Sequence, residues 1–441
     1  MEVREMATEN RGNITEELAN APIGNLLLKL ALPSVLAQLV SLLYNIIDRM
    51  YLGHMPESGS VALTGVGLCM PVICIINAFT MLIGQGGAPR ASIAMVLMVV
   101  FLIIGEDMLM LFGASEETIL YAWPYMRIYV LGNVFVMFSL GLNQFITTQG
   151  FTRFSMINVM TGAVLNIILD PIFIFVLKMG VSGAAIATIL SQAVVAVMAL
   201  RFLTGKKTVL RIQKKYFKLQ KEILVPVLAL GVAPFIMQAT EAALNISFNF
   251  SLQKYGGDVA VGAMTIAGTV MQMFWIPSNG IGQGAQPIIS YNYGAGNKDR
   301  VKKIVKVLFL AMEGYFLICW GVVECFPRAF IQMFNTSSKE LLETTTWALR
   351  VYIGSIGLFG LQSSVQQVLV STGQAKASLF IACLRKVILL IPLIFILPQF
   401  IENKVLAVFL AEPVSDLISV TVATGLFLFL FPKLLRQMEQ K

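Results

Sequence analysis

The stretch Leu165-Asn166-Ile167-Ile168-Leu169-Asp170-Pro171 places a carboxylate inside an apolar run that extends from about Met156 to Leu177, long enough to cross a bilayer as a helix. At that depth an ionised carboxylate costs roughly 3 kcal/mol or more unless it is paired or protonated. Asn166 and Asp170 are four residues apart and share one helix face. Pro171 leaves the Ile167 carbonyl without its helical donor, which loosens the backbone there. A carboxylate, an amide and a bent backbone suit a site for Na⁺ or H⁺; a structural polar contact between helices is the alternative. Glu241 is a second acid inside an apolar run, within Met237-Gln238-Ala239-Thr240-Glu241. It suits contact with a cationic substrate or an ion, against the alternative of a satisfied buried acid. Glu412 and Asp416, also four apart, read as structural, with Pro413 suited to a helix start.

The elements that position these groups follow from composition. Of 441 residues 57% are hydrophobic and 13% charged, with mean hydropathy +0.79. Repeated apolar runs near 20 residues define an all-α polytopic membrane protein, because a helix satisfies its own backbone in lipid. Candidate spans lie at roughly 26–47, 61–83, 92–112, 118–142, 156–177, 181–203, 222–250, 258–281, 305–326, 343–368, 377–398 and 405–430. The net charge of +8 is concentrated in loops, with the longest basic segment between Arg201 and Lys221 and another from Lys298 to Lys306. Arg153, Lys376, Lys433 and Arg436 fall on the same side if twelve spans are counted, so both termini are expected in the cytoplasm. Residues 1–25 lack the basic start and cleavage site of a signal peptide. The five cysteines form no C-x-x-C pair and read as buried small hydrophobes. His54, the only histidine, has no ligand partners in sequence, and no G-x-x-x-x-G-K-[ST] loop is present, which argues against a metalloenzyme and an ATPase.

The chain repeats itself. Gln38 and Asn45 recur as Gln238 and Asn245, and Gly84-Gln85-Gly86 as Gly282-Gln283-Gly284. Arg127, Tyr129 and Gly150 recur as Arg350, Tyr352 and Gly373. Two pseudo-symmetric six-helix bundles follow, at 26–203 and 222–430, joined by a basic linker at 204–221 and followed by a tail at 431–441. The repeat offset rises from 198 to 222 between the Gly-Gln-Gly motif and Phe112/Phe334, so the first half is 24 residues shorter around helices two and three. Helix three is either rebuilt from Ala91–Leu111 behind a tight turn or only half a span.

Leu32-Pro33, Tyr44-Asn45-Ile46-Ile47-Asp48-Arg49, Gly84-Gln85-Gly86-Gly87-Ala88-Pro89, Leu165–Pro171 and Leu410-Ala411-Glu412-Pro413-Val414-Ser415-Asp416 together resemble the MATE (multidrug and toxic compound extrusion) transporters, over about residues 20–430. Their bacterial multidrug branch is the most similar. The resemblance implies a twelve-helix antiporter that expels cationic amphiphilic compounds in exchange for Na⁺ or H⁺. It also implies a cation site in the first half at Asp48, Asn166, Asp170 and Thr188, and, by a looser match, a second-half acid near Glu241. The family's tenth-helix acid has no evident counterpart in Leu361–Gln367.

The chain is therefore read as a plasma-membrane multidrug/cation antiporter working by alternating access, without enzymatic activity. No cofactor is expected beyond the coupling ion, and no nucleic-acid partner; the partners are small cationic drugs or toxic metabolites and lipid, and the chain is expected to be a monomer. Ion binding by Asp48, Asn166, Asp170 and Thr188 is expected to act on hinges at Pro33 and Pro171. Glu241, Gln38, Gln238, Asn245, Gln283, Met237, Met271 and Phe274 are the substrate-cavity candidates. The alternatives are a flippase for a lipid-linked precursor, disfavoured because the spans look poor in Arg and Lys, and a transport-impaired membrane protein, kept because of the missing segment.

Overall fold

The computed structural model describes residues 18–56, 58–82, 89–148, 151–205, 221–334 and 338–438. Gln85, Gly150 and most of the basic linker lie outside them. Among the described residues nine helices are long and apolar enough to cross a membrane. One of these, Phe235–Gly294, turns at Gly257 (φ 61°) and is two spans. The helices Ile23–Gly53 and Pro89–Leu111 bring the number to twelve.

In chain order, α1 is Ile23–Gly53; α2 comprises Gly59–Leu68 and Met70–Leu82; α3 is Pro89–Leu111 and α4 is Ile119–Thr148. Next, α5 is Thr152–Pro171 with a π-helical turn at Ile172–Val176, and α6 is Gly180–Thr204. The merged helix Lys221–Gly294 gives α7 (221–256) and α8 (258–294). Then come α9, Lys298–Cys325, and α10, which comprises Lys339–Tyr352 and Phe359–Ser371. The last two are α11, from Ala375–Cys383 through a π-helical turn at Leu384–Leu390 to Ile391–Phe400, and α12, Lys404–Gln437. All twelve fall where the apolar runs place them.

The open question of α3 resolves to a full helix. Its 23 residues reach about 35 Å at 1.5 Å per residue, enough for the hydrocarbon core. The first half is shorter in the helices themselves, with 23 residues in α3 against 28 in α9, and residues 83–88 lie outside the described set. A second expectation is corrected: Pro413 does not start a helix. Asn403 caps α12, accepting from the Leu406 N–H at 3.1 Å, so Pro413 falls inside the helix.

The repeat is visible in the distortions. The π-helical turns interrupt α5 and α11, six spans apart, and both lie beside buried ionisable residues. Such turns relax the i→i+4 ladder without breaking the helix. In α5 the turn begins directly after Pro171, whose ring removes the donor the regular ladder needs.

Small residues let helices approach closely, as packing in lipid requires. Gly132 of α4 faces Ile189 of α6, and Gly162 of α5 faces Val195 of α6. Between the halves, Gly284 and Gly280 of α8 lie against Ala31 and Val35 of α1. At the end opposite the termini, the Ser115 hydroxyl donates to Asp258 Oδ2 at 2.6 Å, joining the two halves.

The first helix is shared. Ile23, Leu26, Leu27 and Ala31 are buried in a cluster with Ile288, Val301, Leu308 and Val365 of the second half. Arg300 donates to the carbonyls of Leu18 (3.2 Å) and Ala21 (2.6 Å), and Asn292 also donates to Leu18 (3.0 Å). The later part of α1, with Leu42, Ile46 and Leu52, joins the large central cluster, and α1 packs on α5 there.

A side chain at Gly284 has nowhere to go: a Cβ there would stand 2.5 Å from the Ala31 Cα. Gly284→Val should destabilise the protein by about 1–3 kcal/mol, the usual range for overpacking. The check is the thermal unfolding midpoint in detergent; an unchanged midpoint would show that α1 and α8 are not held this tightly.

Candidate functional site: buried carboxylates in both halves

The first cluster forms where α1, α5 and α6 meet. Asn166 Nδ2 donates to Asp170 Oδ1 at 3.1 Å, one turn further along α5, and to Thr188 Oγ1 of α6 at 3.3 Å. Asn166 and Asp170 are buried, and Thr188 is half-buried. Asp48 of α1 is buried as well, and its charge interacts with that of Asp170. The four residues named from the sequence for ion coupling are thus close in space. Tyr44 was missed. It precedes Asp48 by one turn of α1 and lies within electrostatic reach of both carboxylates; its i−4 spacing from Asp48 was the available signal.

Three buried oxygens of this cluster, Asp48 Oδ1, Asn166 Oδ1 and Asp170 Oδ2, have no hydrogen-bond partner. With the Thr188 hydroxyl they form a set of hard oxygen donors, the ligand type that suits alkali and alkaline-earth cations. Either carboxylate can also carry a proton. The residues present therefore fit either coupling ion.

Arg49, next to Asp48, reaches the second half. Its guanidinium donates to the Thr269 hydroxyl of α8 and lies 3.5 Å from the Thr265 carbonyl. It also lies 3.1 Å from the Met70 sulfur. This contact beside the carboxylate cluster ties α1 to α8.

The second cluster forms between α7, α11 and α12. Arg385 Nε donates to Asp416 Oδ1 at 2.6 Å and Nη2 to Glu412 Oε1 at 2.5 Å. The guanidinium carbon lies over the rings of Trp275 (5.1 Å to the centroid) and Phe359 (4.7 Å). The side chains of all three ionic partners are at most 7% exposed. Ser415 donates to the Arg385 carbonyl at 2.8 Å, within the π-helical turn. Glu412 and Asp416, one turn apart on α12, thus hold Arg385 between them. Next to it, Lys386 Nζ pairs with Glu241 Oε1. The description of the spans as poor in cations overlooked this pair of bases in mid-span. A pair of acids one turn apart in α12 was the signal that a two-pronged donor had to face them.

The remaining cavity candidates divide. Met237 is exposed, Gln283 is exposed, and Gln38, Gln238 and Asn245 are half-buried, with Asn245 donating to the Glu241 carbonyl at 2.8 Å. Met271 and Phe274 are instead packed in the central core, Phe274 stacked with Phe316 at 6.2 Å. Neither presents a surface to a ligand in this structure, because their side chains fill the space between α8 and its neighbours. Residue type alone does not separate a core methionine from a cavity one. Pro33 lies within an unbroken stretch of α1. Among the described residues no three His, Cys, Asp or Glu side chains form a group able to hold a metal, and the free cysteines range from buried Cys69 to exposed Cys325. The reading of all five as buried therefore holds for Cys69 alone, since Cys74, Cys319 and Cys383 are half-buried and Cys325 is exposed.

Twelve apolar helices in two related bundles, each with a buried carboxylate cluster, define a membrane transporter rather than an enzyme. The sequence matches the MatE family over residues 90–172 and 234–396. It is 25% identical over 422 residues to the multidrug export protein MepA of Staphylococcus haemolyticus, covering 90% of this chain and 92% of that one. Among solved structures it is similar to the MATE multidrug transporter DinF-BH, solved in complex with a small molecule, with 30% identity, TM-score 0.74, and coverage of 91% and 95%. It also shares its fold with a multidrug resistance MATE transporter of the MOP superfamily in an inward-facing conformation, with 21% identity, TM-score 0.80, and coverage of 91% and 99%. The chain belongs to the MATE family of multi-pass membrane transporters.

Removing one side of a buried ion network leaves the other charges uncompensated, at about 3–5 kcal/mol. Arg385→Leu should therefore unfold at markedly lower temperature. Adding Glu412→Gln and Asp416→Asn should recover most of the loss. Thermal melts of the purified variants check this, and a single variant as stable as wild type would contradict the assigned pairing.

Proposed function

We propose that this transporter exports cationic amphiphilic compounds in exchange for Na⁺ or H⁺ by alternating access. Asp48, Asn166, Asp170 and Thr188 bind the coupling ion. The observation that carries this reading is the set of three buried, unpartnered oxygens on Asp48, Asn166 and Asp170. Two carboxylates in a space of low dielectric repel each other, and the neighbouring Arg49 guanidinium and Asn166 amide offset only part of that cost, so an arriving cation or proton relieves the rest. An ion that binds one state of the transporter more tightly than the other shifts the equilibrium by that difference. The full-length α3 supports transport competence despite the shorter first half.

The substrate class is supported by the relatives: the staphylococcal protein is a multidrug export protein, and DinF-BH, a multidrug transporter, was solved with a small molecule bound. Glu241, with its side chain 39% exposed, is the accessible acid of the second-half charge cluster, where Glu412 and Asp416 are buried. The first half's shared helix also explains how ion binding reaches that half, since α1 carries Asp48 at one end and packs on α8 and α9 at the other. The basic loops on the terminus side support a plasma-membrane orientation with both termini in the cytoplasm.

The test is efflux of a fluorescent cation from proteoliposomes under an imposed Na⁺ or H⁺ gradient. Asp170→Asn should reduce gradient-driven efflux by at least about tenfold, the scale of one charge-assisted interaction. The gradient that drives wild type identifies the ion. Wild-type rates in both Asp48→Asn and Asp170→Asn would rule out this coupling site.

A further inference from the structure

Counted with every group ionised, the charge network of the second half holds three carboxylates against two bases. Among the described residues it comprises Glu241, Glu412 and Asp416 against Arg385 and Lys386. The two bases are held differently. Arg385 grips two carboxylates, is covered by two aromatic rings, and its side chain is 7% exposed. Lys386 forms its salt bridge with Glu241, and its side chain is 23% exposed. Its charge also interacts with Glu412 and with the Cys74 thiol of α2, in the first half. The ammonium is therefore paired with one acid and within electrostatic reach of a second, on a flexible four-carbon stem.

We propose that Lys386 is a tethered cation that occupies Glu241 in the absence of substrate, and that a monovalent organic cation displaces it from Glu241 toward Glu412. This rests on the reading that the protein exports cationic amphiphiles, and it assigns both the charge class and the residue that sets it. An internal salt bridge would ordinarily exclude an external cation, because the displaced lysine would be left buried and unpaired. Here the surplus carboxylate gives the ammonium a second partner. One incoming positive charge also brings the five-residue set to neutrality. A neutral compound has no such effect and leaves Lys386 where it is. Arg385, held on both prongs, stays fixed throughout and keeps Glu412 in place to receive the ammonium.

The experiment measures binding of tetraphenylphosphonium, a fixed monocation, and of the neutral triphenylphosphine oxide to the purified full chain by titration calorimetry. Lys386→Met removes the internal competitor, so it should tighten the cation by about tenfold and move the neutral compound by less than about twofold. Glu241→Gln should weaken the cation by a similar factor. Thermal melts establish that each variant is folded, and Lys386→Gln replaces Lys386→Met if the latter is not. A folded Lys386 variant that binds the cation no more tightly than wild type overturns the exchange and leaves Lys386 a structural counter-ion. So does equal tightening of both ligands. Absence of cation binding in both wild type and the lysine variant overturns the export reading together with the exchange.

Discussion

A carboxylate carried into a bilayer on a helix has to be compensated, and the two halves of this transporter meet that requirement in opposite ways. In the second half the compensation is covalently part of the chain: Arg385 fits between Glu412 and Asp416 with two short hydrogen bonds. In the first half Asp48 and Asp170 lie near each other with an amide and a hydroxyl close by, and three oxygens lack partners. The same architecture, duplicated, thus yields one closed ionic lock and one cluster with unmet demand. The π-helical turns in α5 and α11 accompany both solutions. In α11 the turn carries Arg385 and Lys386 themselves, whereas in α5 it follows Asp170 and Pro171.

The division of labour depends on residue chemistry as much as on position. A guanidinium presents a planar fork that suits two carboxylates one turn apart, and the Trp275 and Phe359 rings against its carbon keep water from it while attracting its charge. An ammonium offers a point charge on a mobile stem. Adjacent in sequence, Arg385 and Lys386 point to different acids on different helices. One fixes α11 to α12, and the other links α11 to α7.

Much of this was legible in the sequence, and the reasons are physical. Lipid makes the length of an apolar run almost equivalent to a span, so all twelve helices could be placed from the runs alone. Asn166 and Asp170 could be paired because four residues is one helical turn, and their hydrogen bond follows that rule. Partners on other helices were harder to read. Nothing local in α11 says that Lys386 meets Glu241, 145 residues away, and averaging charge over whole spans hid two bases at the centre of one. Met271 and Phe274 were misplaced for a related reason: side-chain type reports affinity for apolar surroundings, and a core and a drug-binding wall are both apolar. Pro413 looked like a helix start because proline is common there, but Asn403 supplies the cap ten residues earlier.

The first helix has two owners. Its early turns are bedded on α8 and α9 of the second half, and its later turns rest on α5 of the first. Arg49, near its far end, also reaches Thr269 of the second half, so a rocking of the halves would load this helix along its whole length. Pro33 stands between the early and later turns, and the stretch from there to Gly53 is an arm of about 30 Å. A bend of about 10° at that point would swing the far tip by roughly 5 Å over such an arm. With such a bend the helix would be a lever, its fulcrum at Pro33 and its load the carboxylate of Asp48.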